Sequence, residues 1–219
     1  GARSVARARP AGPMLRADSV AISADMAALM RDFGRLSPLQ IAERLVNFCQ
    51  RFMPSARFEA KLVNEDMFRN PGLPRILLEA EGAARREAGQ SDLEIGDLVL
   101  INTEGLTIEH ILPQETSFGV RLYGFHSTES YLEHLHLIGN LAPLEKRINS
   151  ACSNCSAEKK MSEPKLYRNS QFNLIKALAA SGANCSPAYS KNALVERSQV
   201  LASFAVKRWP LTPTDLAEA

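Results

Sequence analysis

Glu109 and His110 are adjacent in a short apolar run near the middle of the chain. The imidazole of His110 titrates near neutral pH, so it can act as a general base toward a water molecule. Glu109, and Asn149 further along the chain, offer the hard oxygen ligands that suit Mg²⁺ or Mn²⁺. These residue types indicate metal-assisted hydrolysis, in which a cation binds a phosphate and a base deprotonates water.

Several of the polar residues in this part of the chain also have purely structural explanations. A lone histidine on a strand, as His110 would be, is more often a core residue than a catalytic one. Asn140 follows a glycine and could be only a turn residue, and Asn154 could cap a helix or a loop. His134 and His136 could be ligands on one strand face, but we interpret them as the polar surface of a helical turn.

Two strands and a helix are predicted to carry the candidate residues. Residues 106–112 alternate, with His110 on the face of Leu106 and Glu109 on the opposite face, and Pro113 ends this strand. Residues 140–144 form the second predicted strand, and a helix that carries Asn149 follows it.

The remaining chain is predicted to be mostly helical. Ser37-Pro38 with Gln40 is a capping box with proline at the first helical position, so a helix begins there and stops before Pro54. Residues 98–101 are apolar and could be a strand or the end of a helix. The other predicted helices cover residues 22–33, 59–68, 75–86, 131–138, 172–180 and 192–209.

Charge is distributed unevenly along the 219 residues, although the net charge is only +2. Residues 140–176 contain seven basic residues and three acidic ones, as a phosphate-binding face requires. A solvated surface would give the same pattern. Four cysteines in a chain of this length do not indicate a disulfide scaffold, and no apolar run is long enough to cross a bilayer.

Four motifs together resemble a known family. They are the run Ile-Glu-His-Ile-Leu-Pro-Gln at 108–114, Ile-Gly-Asn-Leu-Ala-Pro-Leu at 138–144, asparagines followed by Lys159-Lys160, and Glu196-Arg197 with Trp209-Pro210. Over residues 73–210 the chain resembles the C-terminal HNH (His-Me finger, ββα-metal) nuclease domain of GmrSD-type and SspE-like restriction and phage-defence proteins. Ala142 and Pro143 depart from the family pattern, and we expect them to shorten the pairing of the second strand.

The resemblance implies an α+β, mostly helical fold with a ββα-metal (HNH) core wrapped by helices. We divide the chain into a flexible lead-in (1–20), a helical scaffold (21–90) and the HNH nuclease domain (91–219). The implied activity is a metal-dependent DNA endonuclease, nicking or cutting both strands, in a restriction or anti-phage protein.

The resemblance also implies a role for individual residues. His110 would activate water, oriented by the side-chain amide of Asn140, and Glu109 with Asn149 would hold Mg²⁺ or Mn²⁺. Asn154 would be an additional metal ligand, or it would support the ligands without contacting the metal itself. Three residues would contact the DNA backbone: Lys159, Lys160 and Gln114.

The implied partners are DNA, expected to be double-stranded, and an N-terminal nucleotidase or sensor domain, which we expect to lie outside this chain. We expect no membrane association and a cytoplasmic location. Two other functions remain open: a catalytically inactive module that binds modified DNA, and a helical protein-interaction domain formed by residues 22–90.

Overall fold

The computed structural model describes residues 13–91, 106–115, 117, 119–183 and 185–210. The chain divides into two compact units, one formed by residues 1–57 with 209–219 and the other by residues 58–208. The ambiguous segment at 98–101 lies outside the described residues. Within the described ranges, no helix combines the length and apolar character that crossing a bilayer requires.

The first unit contains two long helices. Helix α1 spans Pro13–Asp32, so it begins inside the segment predicted as a flexible lead-in. Helix α2 spans Pro38–Phe52, and the predicted capping box is confirmed. The Ser37 hydroxyl accepts from the Gln40 amide at 3.4 Å, while the Gln40 side chain accepts from the Ser37 amide at 2.9 Å.

Seven further helices lie among the described residues, nearly all of them within the second unit. They are α3 (Ser55–Asn64), α4 (Leu73–Glu87), α5 (Thr128–His134), α6 (Lys146–Cys152), α7 (Ala157–Ser162), α8 (Asn173–Gly182) and α9 (Lys191–Arg208). Helix α3 ends earlier than the predicted 59–68, which leaves Phe68 in the turn after it. The prediction for 131–138 was also displaced, since α5 starts at Thr128 and a 3-10 turn covers Ile138–Asn140.

Two antiparallel strands form the only sheet among the described residues. Strand β1 spans Leu106–His110 and strand β2 spans Leu141–Glu145. The register runs without interruption from Leu106 opposite Glu145 to His110 opposite Leu141. Pro143 lies opposite Ile108, so the shortened pairing expected from Ala142 and Pro143 was wrong. The fold is therefore α+β and mostly helical.

Strand β2 leads directly into α6, so the two strands and this helix form a ββα arrangement. Buried side chains form one core that includes Ile111 just after β1, Leu144 of β2 and Tyr167 of a 3-10 turn. The carboxylate of Glu81 on α4 is fully buried and accepts from the amides of Asn173 and Leu174, at 2.9 and 3.0 Å. This negative charge caps the N-terminus of α8.

Helix α9 packs against the turn that precedes β2. Gly139 in this turn has no room for a Cβ atom, because the backbone of Leu194 and the side chain of Ser198 approach it closely. The amide of Gly139 donates to the Ser198 hydroxyl at 3.0 Å, and Arg197 donates to the carbonyl of Gly139 at 2.7 Å. The start of β2 is thereby fixed relative to α9.

Candidate active site

His110 is the last residue of β1, and its ring is buried between two other rings. Its Nε2 atom lies 3.0 Å from Nδ1 of His136, within hydrogen-bonding distance. The ring of Phe68 lies against both imidazoles, with centroid distances of 4.5 Å to His110 and 5.2 Å to His136. The base predicted from the sequence is therefore part of a cluster of three rings.

The environment of His110 favours its neutral form. Burial lowers the pKa of His110 from 6.5 to about 4, and the neighbouring His136 and Lys160 act in the same direction. Desolvation penalises the charged imidazolium, and the positive charge of Lys160 adds to this penalty. At neutral pH His110 is therefore unprotonated on one nitrogen, as a general base must be.

Glu109 is turned to the other side of β1 and is also buried. Its Oε1 atom forms an ion pair with Nζ of Lys160 at 2.7 Å and accepts from the Tyr167 hydroxyl at 3.2 Å. Burial raises the pKa of the Glu109 carboxyl, whereas the charge of Lys160 lowers it. Because Lys160 is so close, we assign the charged form to Glu109 at neutral pH.

Lys160 does not occupy the position predicted for it. Its side chain is 1% exposed, and Nζ donates to the carbonyls of His110 at 2.6 Å and Ile111 at 3.4 Å besides pairing with Glu109. All three ammonium hydrogens thus have acceptors inside the protein. The prediction that Lys160 contacts phosphate was wrong, because helix α7 turns this side chain toward the core. Its neighbour Lys159 is exposed.

Asn149 lies on α6, against the face of β1 that carries Glu109. Its Nδ2 atom donates to the Thr107 hydroxyl at 2.7 Å, and this hydroxyl donates to the carbonyl of Leu144 at 2.8 Å. Thr107 and Glu109 are two residues apart on one strand, so their side chains share a face. The amide of Asn149 is thereby fixed on the same side of the sheet as the Glu109 carboxylate.

Asn140 is fully buried. Its side chain forms hydrogen bonds with backbone groups and not with the ring of His110. Its Oδ1 atom accepts from the amide of Leu112 at 2.8 Å, and Nδ2 donates to the carbonyls of Leu135 at 2.8 Å and Leu112 at 3.4 Å. Both amide hydrogens are used, so the predicted side-chain contact from Asn140 to His110 is replaced by these bonds. Asn140 fixes the residues just after His110.

The other predicted residues lie close to the end of β1. Asn154 accepts from the amide of Glu115 at 3.2 Å through Oδ1, and its Nδ2 atom is buried without a partner. Gln114 is exposed. Asn154 therefore contacts the loop that carries Gln114, and no bond joins it to Glu109 or Asn149 among the hydrogen bonds of the described residues.

Three residues of this site escaped the sequence analysis: His136, Phe68 and Tyr167. His136 was interpreted as helix surface, and no periodicity distinguishes it from His134. Phe68 belongs to a segment assigned to the scaffold. The burial of Lys160 could have been predicted from the sequence, because Ala157, Lys160 and Met161 have the spacing of one helical face.

The model of the family described as "GmrSD restriction endonucleases, C-terminal domain" matches residues 64–204. The chain belongs to this family. The matched residues include Phe68 of the three-ring cluster. No curated protein and no solved structure matches the chain. Membership in this family indicates a function of the restriction-endonuclease type, with DNA as the substrate.

The donor atoms of this GmrSD C-terminal domain are compatible with a hard divalent cation. Among the described residues, no group of three or more His, Cys, Asp or Glu side chains is arranged to hold a metal ion. A carboxylate with an amide oxygen is a smaller set, which suits Mg²⁺ or Mn²⁺ because these ions keep several water and phosphate ligands. Both bonds described above for the Glu109 side chain reach Oε1, and the bond from Asn149 uses Nδ2.

Proposed function

We propose that this domain is a metal-dependent DNA endonuclease with a ββα-metal (HNH) core. The observation that carries the proposal is the hydrogen bond from Asn149 to Thr107, at 2.7 Å. It joins α6 to β1 on the face of Glu109, while His110 ends the same strand. The carboxylate and the amide therefore lie on one face of β1, and the imidazole lies at the end of the same strand.

Glu109 and Asn149 would hold the cation through a carboxylate oxygen and an amide oxygen. When bound, Mg²⁺ or Mn²⁺ would neutralise charge on the scissile phosphate and stabilise the leaving oxygen. Lys160 keeps the Glu109 carboxylate charged and turned away from solvent. Because the ammonium repels a second cation, we expect weak metal binding until DNA supplies its own oxygen atoms.

His110 would take the proton from the attacking water. The nitrogen that receives this proton is Nδ1, because Nε2 faces His136 at 3.0 Å. Glu109 and His110 are adjacent and point to opposite faces. We infer that the phosphate would approach them from the edge of β1 that does not pair with β2. Exposed Lys159, and Gln114 next to the strand end, would contact the DNA backbone.

One observation favours a second function, a DNA-binding module without cleavage. The Lys160 ammonium already stands 2.7 Å from Glu109, where it neutralises the carboxylate without a metal. In such a module the ion pair would be purely structural, and DNA would be bound through the exposed basic residues.

Cleavage of supercoiled plasmid separates the two functions. The purified chain is incubated with plasmid and Mg²⁺ or Mn²⁺, with and without EDTA. The endonuclease produces nicked or linear DNA that EDTA abolishes, whereas the binding module retards the plasmid without changing its topology. Glu109→Gln is the matched variant, because it keeps an oxygen for Lys160 and removes the charge that holds the cation.

A further inference from the structure

We propose that His136 is a positioning residue that fixes the tautomer of His110, leaving Nδ1 of His110 free to accept a proton. This inference rests on the proposed function, since it assigns a partner to the base of that reaction. Its basis is the distance of 3.0 Å between Nε2 of His110 and Nδ1 of His136. The two rings meet edge to face, with centroids 5.1 Å apart and an interplanar angle of 66°.

The proton between these two nitrogens decides whether His110 is a base. A neutral imidazole carries one N–H and one lone pair. If His136 donated, Nε2 of His110 would be the acceptor and its proton would sit on Nδ1, so His110 would have no free lone pair. If His110 donates from Nε2, the lone pair of Nδ1 stays available. The proposed reaction therefore requires His136 to accept at Nδ1 and to carry its own proton on Nε2.

The surroundings of His136 hold its ring in the position that this bond needs. Its carbonyl accepts from the amide of Met67 at 2.9 Å, which ties the turn after α3 to the end of α5. The ring of Phe68 from that turn stacks on His136 with an interplanar angle of only 14°. Phe68 also covers His110, so one aromatic ring restricts both imidazoles.

Asn140 cannot perform this task in the structure, because its amide is saturated by backbone groups of Leu112 and Leu135. The roles are therefore divided. Asn140 fixes the backbone that follows His110, and His136 fixes the ring. In hydrolytic sites a hydrogen-bond partner on the far nitrogen commonly sets the tautomer and orientation of a functional histidine.

Three substitutions at His136 separate positioning from packing. In His136→Asn, Oδ1 stands close to the place of the imidazole Nδ1, so an acceptor for His110 is retained. His136→Phe keeps the stacking on Phe68 and removes the acceptor. His136→Gln retains a polar group but extends it beyond the place of Nδ1. His126→Phe is the control, because His126 is exposed.

We expect His136→Phe to lower kcat for plasmid nicking by about 10- to 100-fold, the usual cost of losing such a partner, with KM for DNA unchanged. His136→Asn should recover most of this loss, His136→Gln should not, and His126→Phe should behave as wild type. A wild-type kcat in His136→Phe, or equal losses in the Asn and Phe variants, would overturn the proposal.

Nitrogen-15 NMR of the imidazoles tests the same claim without any cleavage. In the wild-type chain without DNA or metal, we expect His110 to carry its proton on Nε2 and His136 to carry its proton on Nε2 as well. In His136→Phe, His110 should become a mixture of both tautomers. A wild-type His110 with its proton on Nδ1 overturns the inference. Should wild-type protein show the expected tautomers but never nick DNA, the proposed function fails and the positioning of His110 stands.

Discussion

Nζ of Lys160 lies 2.7 Å from Oε1 of Glu109, and the two side chains are only 1% and 5% exposed. This buried ion pair changes the roles that we assign to both residues. Lys160 becomes part of the support of the site instead of its DNA-binding surface, and Glu109 becomes a carboxylate whose charge is balanced before any cation arrives.

Lys160→Met should destabilise the domain by roughly 3–5 kcal/mol, because it leaves the Glu109 carboxylate buried without its partner. Lys159→Met is the matched control. It changes an exposed neighbour, and its effect should stay within about 0.5 kcal/mol. Urea denaturation of the two variants measures both values. Equal, small effects would contradict the buried ion pair.

Lys159→Ala should weaken binding to every DNA sequence by a similar factor, because a phosphate contact carries no sequence information. The slope of log affinity against log salt should become shallower by about one. Lys207→Ala provides the comparison, since Lys207 is exposed but lies outside the basic segment 140–176. An unchanged slope for Lys159→Ala would place the DNA on another surface.

Stability should fall as the solution is acidified, in part because of His110. Its pKa is lowered from 6.5 to about 4, so between these pH values the unfolded chain binds a proton that the folded chain does not. The free energy of unfolding therefore rises with pH across this window and falls with acidification. From about pH 7 to about pH 5 this loss should be roughly 2 kcal/mol.

His110→Phe isolates that contribution, because the carboxyl groups of the domain titrate in both proteins. Urea denaturation at several pH values should show a shallower loss of stability in the variant. Parallel curves for wild type and His110→Phe would mean that the pKa of His110 is not lowered.

The concentration of Mn²⁺ needed for cleavage should rise strongly in Glu109→Gln and in Asn149→Ala, since each removes a proposed ligand. Thr107→Val should give a smaller rise, because it removes the bond that fixes the Asn149 amide at 2.7 Å. Asn154→Ala should change the requirement least. Titration of cleavage rate against Mn²⁺ for the four variants provides the measurement. A large shift in Asn154→Ala alone would assign the second ligand to Asn154.

Local patterns in the sequence predicted the elements of this site well. The alternation of residues 106–112 predicted β1, although the strand ends at His110, two residues earlier than predicted. The capping box at Ser37 predicted the start of α2. These features depend on neighbours along the chain, which a single sequence displays.

Contacts between distant segments were not predictable in this way. The pairing of His110 with His136 depends on the end of α5 and the turn before β2, and the position of Phe68 depends on where α3 ends. Lys159 and Lys160 are chemically alike, and only the rotation of α7 decides that one is exposed and the other buried. Asn140 was expected to orient His110 through its side-chain amide. In the structure that amide is already hydrogen-bonded to backbone groups of Leu112 and Leu135.

The rate of plasmid nicking by His110→Ala tests the central claim most directly. Wild-type chain and variant are compared with Mn²⁺ under identical conditions, after circular dichroism and a DNA-binding assay have shown that both fold and bind DNA. Loss of the general base should reduce the rate by a factor on the order of 10² or more, with DNA affinity nearly unchanged. Nicking by His110→Ala at the wild-type rate would contradict the assignment of His110 as the base, and with it the proposed endonuclease site.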